Sequence, residues 1–266
     1  MTLLFRVLYA AHCRSTHHKL ALNALNLLRA NGQESWRTLF LKNHSLFLHG
    51  AKDPDNVFKD FRNHVLHPGR EFWGGAPKTA RKWYETALLA LRQKQWDKAV
   101  YATGVLSHYC TDPIQPFHTD SSEEENNIHR AAEWSITLAH DELWVLAQKQ
   151  GLPRLTLSTE DNWLELMIQQ TASYAHQHYW PLIEHYDFDV GVKKPPQGLD
   201  EVARRTIADL LGLAAVSFAR VMDRLLEESG VAPPMCGVTL ETILATLTMP
   251  IKWVTKKIAN AQERRV

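Results

Sequence analysis

Apolar residues recur at intervals of three and four along most of this chain, the spacing at which side chains share one face of an α-helix. Residues 18–30 (HKLALNALNLLRA) and 78–92 (KTARKWYETALLALR) carry that pattern in residue types that favour helix. Residues 96–109, 128–149, 161–185 and 199–228 read the same way. Pro113 and Pro116 should stop the helix over 96–109 shortly after its end, because proline lacks the amide hydrogen and clashes with the preceding turn. The polar, acidic stretch 119–127 then reads as a loop, as does 187–198 (DFDVGVKKPPQG), and 229–234 (SGVAPP) is a further break. Residues 238–258 are amphipathic, interrupted by Pro250, with Trp253 beside Lys252, Lys256 and Lys257. Such a segment either lies on a membrane surface or packs as a terminal helix on the body or on a partner subunit. No run of alternating strands, no repeat and no low-complexity tract is present. The expected fold is all-α: one multi-helix domain over 1–234, with an amphipathic helical extension over 235–266.

Composition changes this picture little. The chain has 266 residues, 45% apolar and 22% charged, with a formal net charge of +1. These are the proportions of a soluble globular protein that can bury a substantial core. The near-neutral balance predicts neither a polyanion-binding surface nor an acidic tail. Cys13, Cys110 and Cys236 are odd in number and widely spaced, so no disulfide framework or CxxC metal knuckle is expected and a reducing compartment is favoured. Arg6 breaks the apolar runs near the start, so no signal peptide is read. No stretch reaches the ~18 uninterrupted apolar residues of a membrane span. A cytoplasmic protein is expected, with peripheral membrane contact through 238–258 as an option.

The candidate chemistry lies in histidine and carboxylate. Fourteen histidines are many for a chain of this length, which agrees with a metal site. His108/Asp112 and His129/Glu133 are i, i+4 pairs, each aiming two ligand groups from one helix face, and His118 lies between them. Nitrogen and oxygen donors converging in this way make hydrolytic zinc sites. Three upstream pieces add to them. Arg14-Ser-Thr-His17-His18 opens a helix, with Ser15 or Thr16 as N-cap. Gly50-Ala-Lys-Asp53-Pro-Asp55 reads as a turn carrying two carboxylates, and His64 and His67 lie three apart. Residue chemistry alone leaves His17 against His18, Asp55 against Asp53, and His64 against His67 open. Cys110, two positions from both His108 and Asp112, points to the opposite face and reads as a core residue.

The order TH(x)nGAxxPD(x)nH(x)nSHYxxDxxQPxH(x)nHxxxE resembles the zinc-dependent phospholipase C family, which is related in fold to single-strand-specific zinc nucleases. The resemblance runs from about residue 12 to residue 145, and the segment 106–118 (LSHYCTDPIQPFH) is its most specific part. It implies three metals. One would be held by Asp55, His64, His108 and a bridging Asp112, a second by His118, His129 and Glu133, and a third by His17 and Asp112 with ligands from the N-terminus. It also implies that Asp55 acts as general base or orients the attacking water.

The chain departs from the family pattern at two places. Family members typically begin with a Trp whose amine and carbonyl complete the third metal, and no Trp lies near this start. His12, five residues before His17, is expected to replace it. Asn56 stands where one subgroup has a Tyr that contacts choline, whereas Phe61 matches an aromatic of that substrate pocket.

The implied activity is a phospholipase C-like phosphodiester hydrolase with two to three zinc ions. Its nucleophile would be a metal-bound hydroxide attacking phosphorus in line, and phospholipid is the favoured substrate. Iron or manganese also suits these ligands. The alternative keeps the metal site and takes a single-stranded nucleic acid or nucleotide. For that reading Trp73, Trp83, Arg62, Arg70, Lys78, Arg81 and Lys82 would have to form a basic aromatic groove. A metal-stabilised scaffold without catalysis is a third reading, disfavoured because a structural zinc needs only four ligands.

Overall fold

The chain's helix starts follow its capping chemistry. Ser15, Ser122, Asp187 and Asp200 each accept a backbone amide hydrogen bond in the first turn of the helix they precede. In the computed structural model, which describes residues 2–235, these and other starts launch α1 (Leu3–His12), α2 (Thr16–Asn26), α3 (Gln33–Lys42) and α4 (His44–Asp53). They are followed by α5 (Ala76–Arg92), α6 (Trp96–Thr111), α7 (Glu123–Gln150) and α8 (Trp163–His176). Last come α9 (Tyr179–Glu184), α10 (Phe188–Lys193) and α11 (Glu201–Ser229), which ends on Gly230 in the left-handed conformation. Among the described residues only two isolated β-bridges occur, His67 with Trp73 and Tyr186 with Leu199. The all-α expectation holds. The extension expected beyond residue 234 lies, apart from Met235, outside the described residues.

Several boundaries differ from the sequence expectation. The stretch 119–127 is helical from Glu123, because Ser122 caps α7 and three glutamates occupy its first turn, where the helix dipole favours negative charge. The helix expected over 161–185 breaks at Gln177 and His178 into α8 and α9. The expected loop 187–198 contains the short α10 and a 3-10 turn at Pro195–Gly198. Pro113 ends α6 as anticipated, and two 3-10 turns, Asp112–Ile114 and Pro116–His118, carry the chain onward.

Helix α6 runs through the middle of the molecule between α4 and α5, and from Ala102 to Thr111 every residue is buried. A helix buried on all sides needs no polar stripe. Two glycines let α4 approach it closely. A Cβ on Gly50 would lie 2.4 Å from the Tyr101 carbonyl oxygen, and one on Gly104 would lie 2.3 Å from that of Phe47. Buried apolar residues form two clusters. The larger gathers α1–α6, α8 and the C-terminal half of α11 around Trp36, Phe47, Tyr84 and Phe218. The smaller joins α7, α9 and the N-terminal half of α11 around Phe117, Tyr179 and Leu210. The chain passes from one to the other between Cys110 and Ile114, and Asp112 lies at that seam.

Candidate metal centre

Each functional side chain is delivered by a local rule. Ser15 caps α2 by accepting from the His18 amide at 3.3 Å, which places His17 in the first turn facing inward. Asp55 lies in a short π-helical turn, Pro54–Phe58, that continues α4; such turns break helical register and are frequent at functional sites. His64 follows a 3-10 turn, His108 sits near the end of α6, and Asp112 starts the turn that Pro113 imposes. His118 closes the next turn, and His129 and Glu133 share one face of α7.

Asp112 is the hub. Its Oδ2 lies 3.0 Å from His64 Nδ1, 3.0 Å from His108 Nε2 and 3.3 Å from His118 Nδ1, while Oδ1 lies 3.4 Å from His17 Nε2. Asp55 reaches three of the same imidazoles, at 3.5 Å from His64, 3.6 Å from His108 and 3.7 Å from His17. Glu133 Oε1 lies 3.3 Å from His118 Nε2 and 3.2 Å from His129 Nε2. Three groups of donor atoms each lie within 4.8 Å of one another: His17, His108 and Asp112; Asp55, His64 and His108; His118, His129 and Glu133. The two helical pairs seen in the sequence are therefore both realised.

Outer hydrogen bonds set the tautomers. His108 Nδ1 lies 3.0 Å from the Ala51 carbonyl oxygen, which can only accept, so Nδ1 carries the hydrogen and Nε2 turns a lone pair inward. His64 Nε2 lies 3.2 Å from Asp60 Oδ1, itself held by the Tyr109 hydroxyl at 2.9 Å, and His129 Nδ1 donates to the buried Glu125. In each case the inner nitrogen faces a carboxylate oxygen. Two acceptors face each other favourably only with a proton or a cation between them, and an imidazole anchored from behind is the usual dress of a metal ligand. The donor set, imidazoles that zinc would take in their neutral form and carboxylates, fits zinc.

The electrostatics agree. Burial works against charge on every group here, yet the neighbours prevail at most of them. His108 and then His118 hold the Asp112 carboxyl well below its usual range. Asp112, followed by Glu133, raises His118 well above an ordinary imidazole. Hydrogen bonds to Glu125 and Glu133 push His129 up to about 9. His17 is the exception: burial, reinforced by His108, lowers it to about 3 and keeps it neutral.

The family model for zinc-dependent phospholipase C matches residues 16–181, the segment that carries this whole arrangement. The chain belongs to the zinc-dependent phospholipase C family. Alpha toxin from Clostridium absonum has a similar fold, at 16% identity and a TM-score of 0.55, over 82% of this chain and 66% of the toxin chain. The chain thus spans slightly less than two thirds of the toxin's length. No curated protein matches the chain.

Within this phospholipase C-type frame, one expected ligand lies outside the three donor groups. His12 does not join the cluster. It ends α1 and stacks against His44 with ring centroids 4.8 Å apart, and the extended residues Cys13 and Ser15 separate it from His17. The other open choices resolve by contact. His18 accepts from the Arg14 amide at 3.3 Å, Asp53 accepts from the Tyr101 hydroxyl at 2.8 Å, and His67 packs on Trp73. Cys110 is buried in the core. Asp60, Glu125 and the Ala51 carbonyl escaped the sequence reading, although Asp60/His64 and Glu125/His129 repeat the i, i+4 spacing used for the ligands.

The centre opens into a cavity of about 960 Å³ whose lining includes Phe61, Lys52 and Arg130. Phe61, which lines this cavity, is 63% exposed and its ring centroid lies 5.8 Å from that of His64. Several residues named for a nucleic-acid groove have partners of their own. Arg62 lies over the Trp73 ring, Arg70 pairs with Asp120, and Arg81 pairs with Glu165. Trp83 stacks flat on Phe58. None of these residues lines the cavity.

Proposed function

We propose that this protein hydrolyses phosphodiesters by phospholipase C-type chemistry, with phospholipid as the substrate class. The observation that carries the reading is the convergence of His17, His64, His108 and His118 on the two oxygens of Asp112, with anchored imidazoles whose inner nitrogens face carboxylates. Family membership supports the reaction class, and the aromatic, largely apolar cavity supports a lipid.

The proposed ligand sets are Asp55, His64, His108 and Asp112 for one zinc, His118, His129 and Glu133 for a second, and His17 with Asp112 for a third. Bound there, zinc would draw phosphate oxygens by charge and make water acidic enough to attack phosphorus at neutral pH. Asp112 has two oxygens facing different imidazoles, which lets one carboxylate serve neighbouring sites. Asp55 is held below its ordinary range: burial opposes the charge, but His17 and His108 outweigh it. It is therefore an ionised acceptor at neutral pH, suited to orienting the attacking water. Lys52, ion-paired with Asp55, and Arg130 supply positive charge along the cavity for the phosphate.

Metal analysis of the purified full chain should give two to three equivalents of zinc, and hydrolysis of bis-p-nitrophenyl phosphate and phosphatidylcholine should stop on chelation and return with zinc. A metal-free, inactive protein sinks the proposal. Faster turnover of single-stranded DNA than of phosphatidylcholine would move the substrate to nucleic acid.

A further inference from the structure

The candidate metal ligands form only part of the cavity lining. Beyond them the lining includes polar groups, Gln115, Asn126, Asn127 and Thr137 among them, and an apolar set made of Leu20 of α2, Ile136 of α7 and Ile207, Leu210, Leu211 and Ala214 of α11. All six belong to the smaller buried cluster, and none is more than 5% exposed. Protein interiors are close-packed, with few voids larger than a water molecule. Water gains nothing in an apolar void, since it needs two or more polar partners there. A space of about 960 Å³ lined both by charged ligands and by members of an apolar cluster has the make-up of a site for a ligand with one polar and one apolar part. Its entrance continues the apolar character outward. Phe188 and Val192 of α10 line the cavity and are 44% and 58% exposed.

We infer that the apolar part of the lining is a subsite for the aliphatic chain of the substrate, which is drawn off the lipid surface past α10 into the protein and selected by its length. The placing of the phosphate rests on the phosphodiesterase reading above; the chain subsite rests on the cavity walls. Ala214 is the wall residue at which a substitution adds the most bulk. It carries the smallest side chain among the six wall residues, in a row with the larger Ile207, Leu210 and Leu211.

The test uses the zinc-loaded full chain and a series of alkyl p-nitrophenyl phosphates from ethyl to dodecyl, held below their critical micelle concentrations. kcat/KM should rise about three- to fourfold per added methylene until the cavity is filled, matching ~0.8 kcal/mol per buried CH2. Ala214→Phe should lower the dodecyl-to-ethyl ratio on the order of tenfold, the equivalent of about two methylenes losing their burial. If Ala214→Phe fails to fold, Ala214→Leu provides a milder version of the same block. Calorimetric binding of the corresponding alkyl phosphates is read in parallel and does not depend on turnover. Loss of all hydrolysis with affinity still rising along the series would end the phosphodiesterase reading and keep the subsite. Equal kcat/KM and equal affinity from ethyl to dodecyl overturns the inference, whatever the rate on bis-p-nitrophenyl phosphate.

Discussion

His64 Nδ1 and His108 Nε2 face each other at 3.0 Å from segments forty-four residues apart. Both rings are held from behind, His64 by Asp60 and His108 by the Ala51 carbonyl, so both facing nitrogens are turned into the centre rather than free to rotate away. Removing an outer partner should loosen the ring without removing a ligand. Asp60→Asn and Glu125→Gln are expected to lower zinc affinity or activity by ~10–100-fold, the range typical of partners behind metal ligands. Competition titration with a chelating dye checks this. Affinity and turnover equal to the parent protein would show that these contacts do not orient the ligands.

Asp112→Asn removes charge at the one carboxylate that four imidazoles approach. The amide keeps the shape, so the helix end and the Pro113 turn should persist, while the imidazoles lose their common anionic partner. Activity should fall by more than the ~100-fold assigned to outer partners. Zinc content should drop by at least one equivalent, with the far-ultraviolet circular dichroism unchanged. A variant that keeps full metal content would remove Asp112 from the bridging position.

Protons and zinc compete for the same nitrogens. His129 is pushed from 6.5 to about 9 by Glu125 and Glu133 against the effect of burial, so without metal it is protonated at neutral pH. Zinc requires the neutral ring, and its binding should therefore release protons. The sign for stability follows from linkage. A group whose folded pKa is raised stabilises fully below 6.5 and loses that contribution as pH rises through about 9. The chelated protein should thus lose thermal stability between those values, while zinc affinity climbs over the same window. Calorimetry in buffers of different ionisation enthalpy counts the protons at pH 7; a count of zero refutes the competition.

The half of the site that could be read from the sequence is the half built from local spacing. His108/Asp112 and His129/Glu133 needed only a helix to meet, and Pro113 marked where that helix ends. Asp60 and Glu125 obey the same spacing, but Glu125 lay in a stretch whose acidity suggested a loop, when that acidity in fact suits the first turn of α7. His17, Asp55 and His64 meet His108 only through tertiary packing, and their roles came from the family resemblance rather than from periodicity. The apolar part of the cavity lining was invisible for a related reason. Ile207, Leu210, Leu211 and Ala214 read as the ordinary buried face of a helix, and nothing in one helix says that the opposing surface stands back from it.

His12 shows how sequence proximity misleads. It lies five residues before His17, but the chain leaves the helix at Cys13 and re-enters at Thr16, and His12 belongs to none of the three donor groups. Its neighbour is His44. His12→Ala should leave zinc stoichiometry and turnover at parental values. A loss of one equivalent of zinc would restore His12 as a ligand.

Backbone approach between α4 and α6 sets the distance on which the centre depends. Gly50 and Gly104 let the two helices touch, and the contact brings the Ala51 carbonyl to 3.0 Å from His108 and Asp55 to 3.6 Å from it. A methyl group at Gly104 would sit 2.3 Å from the Phe47 carbonyl oxygen and 3.2 Å from the Ala51 amide nitrogen, so α4 must move away. That shift would carry Ala51 and the following Asp55 outward while His108, on α6, stays. Gly104→Ala should therefore cost ~1–3 kcal/mol in chemical denaturation, as overpacking of a core generally does. It should also weaken zinc binding, although no ligand has been changed. Ala102→Ser, which buries a hydroxyl on the same helix without changing either glycine, supplies the comparison for a general loss of stability. Reduced stability in Gly104→Ala with unaltered zinc affinity would mean that the centre does not depend on the close crossing of these helices.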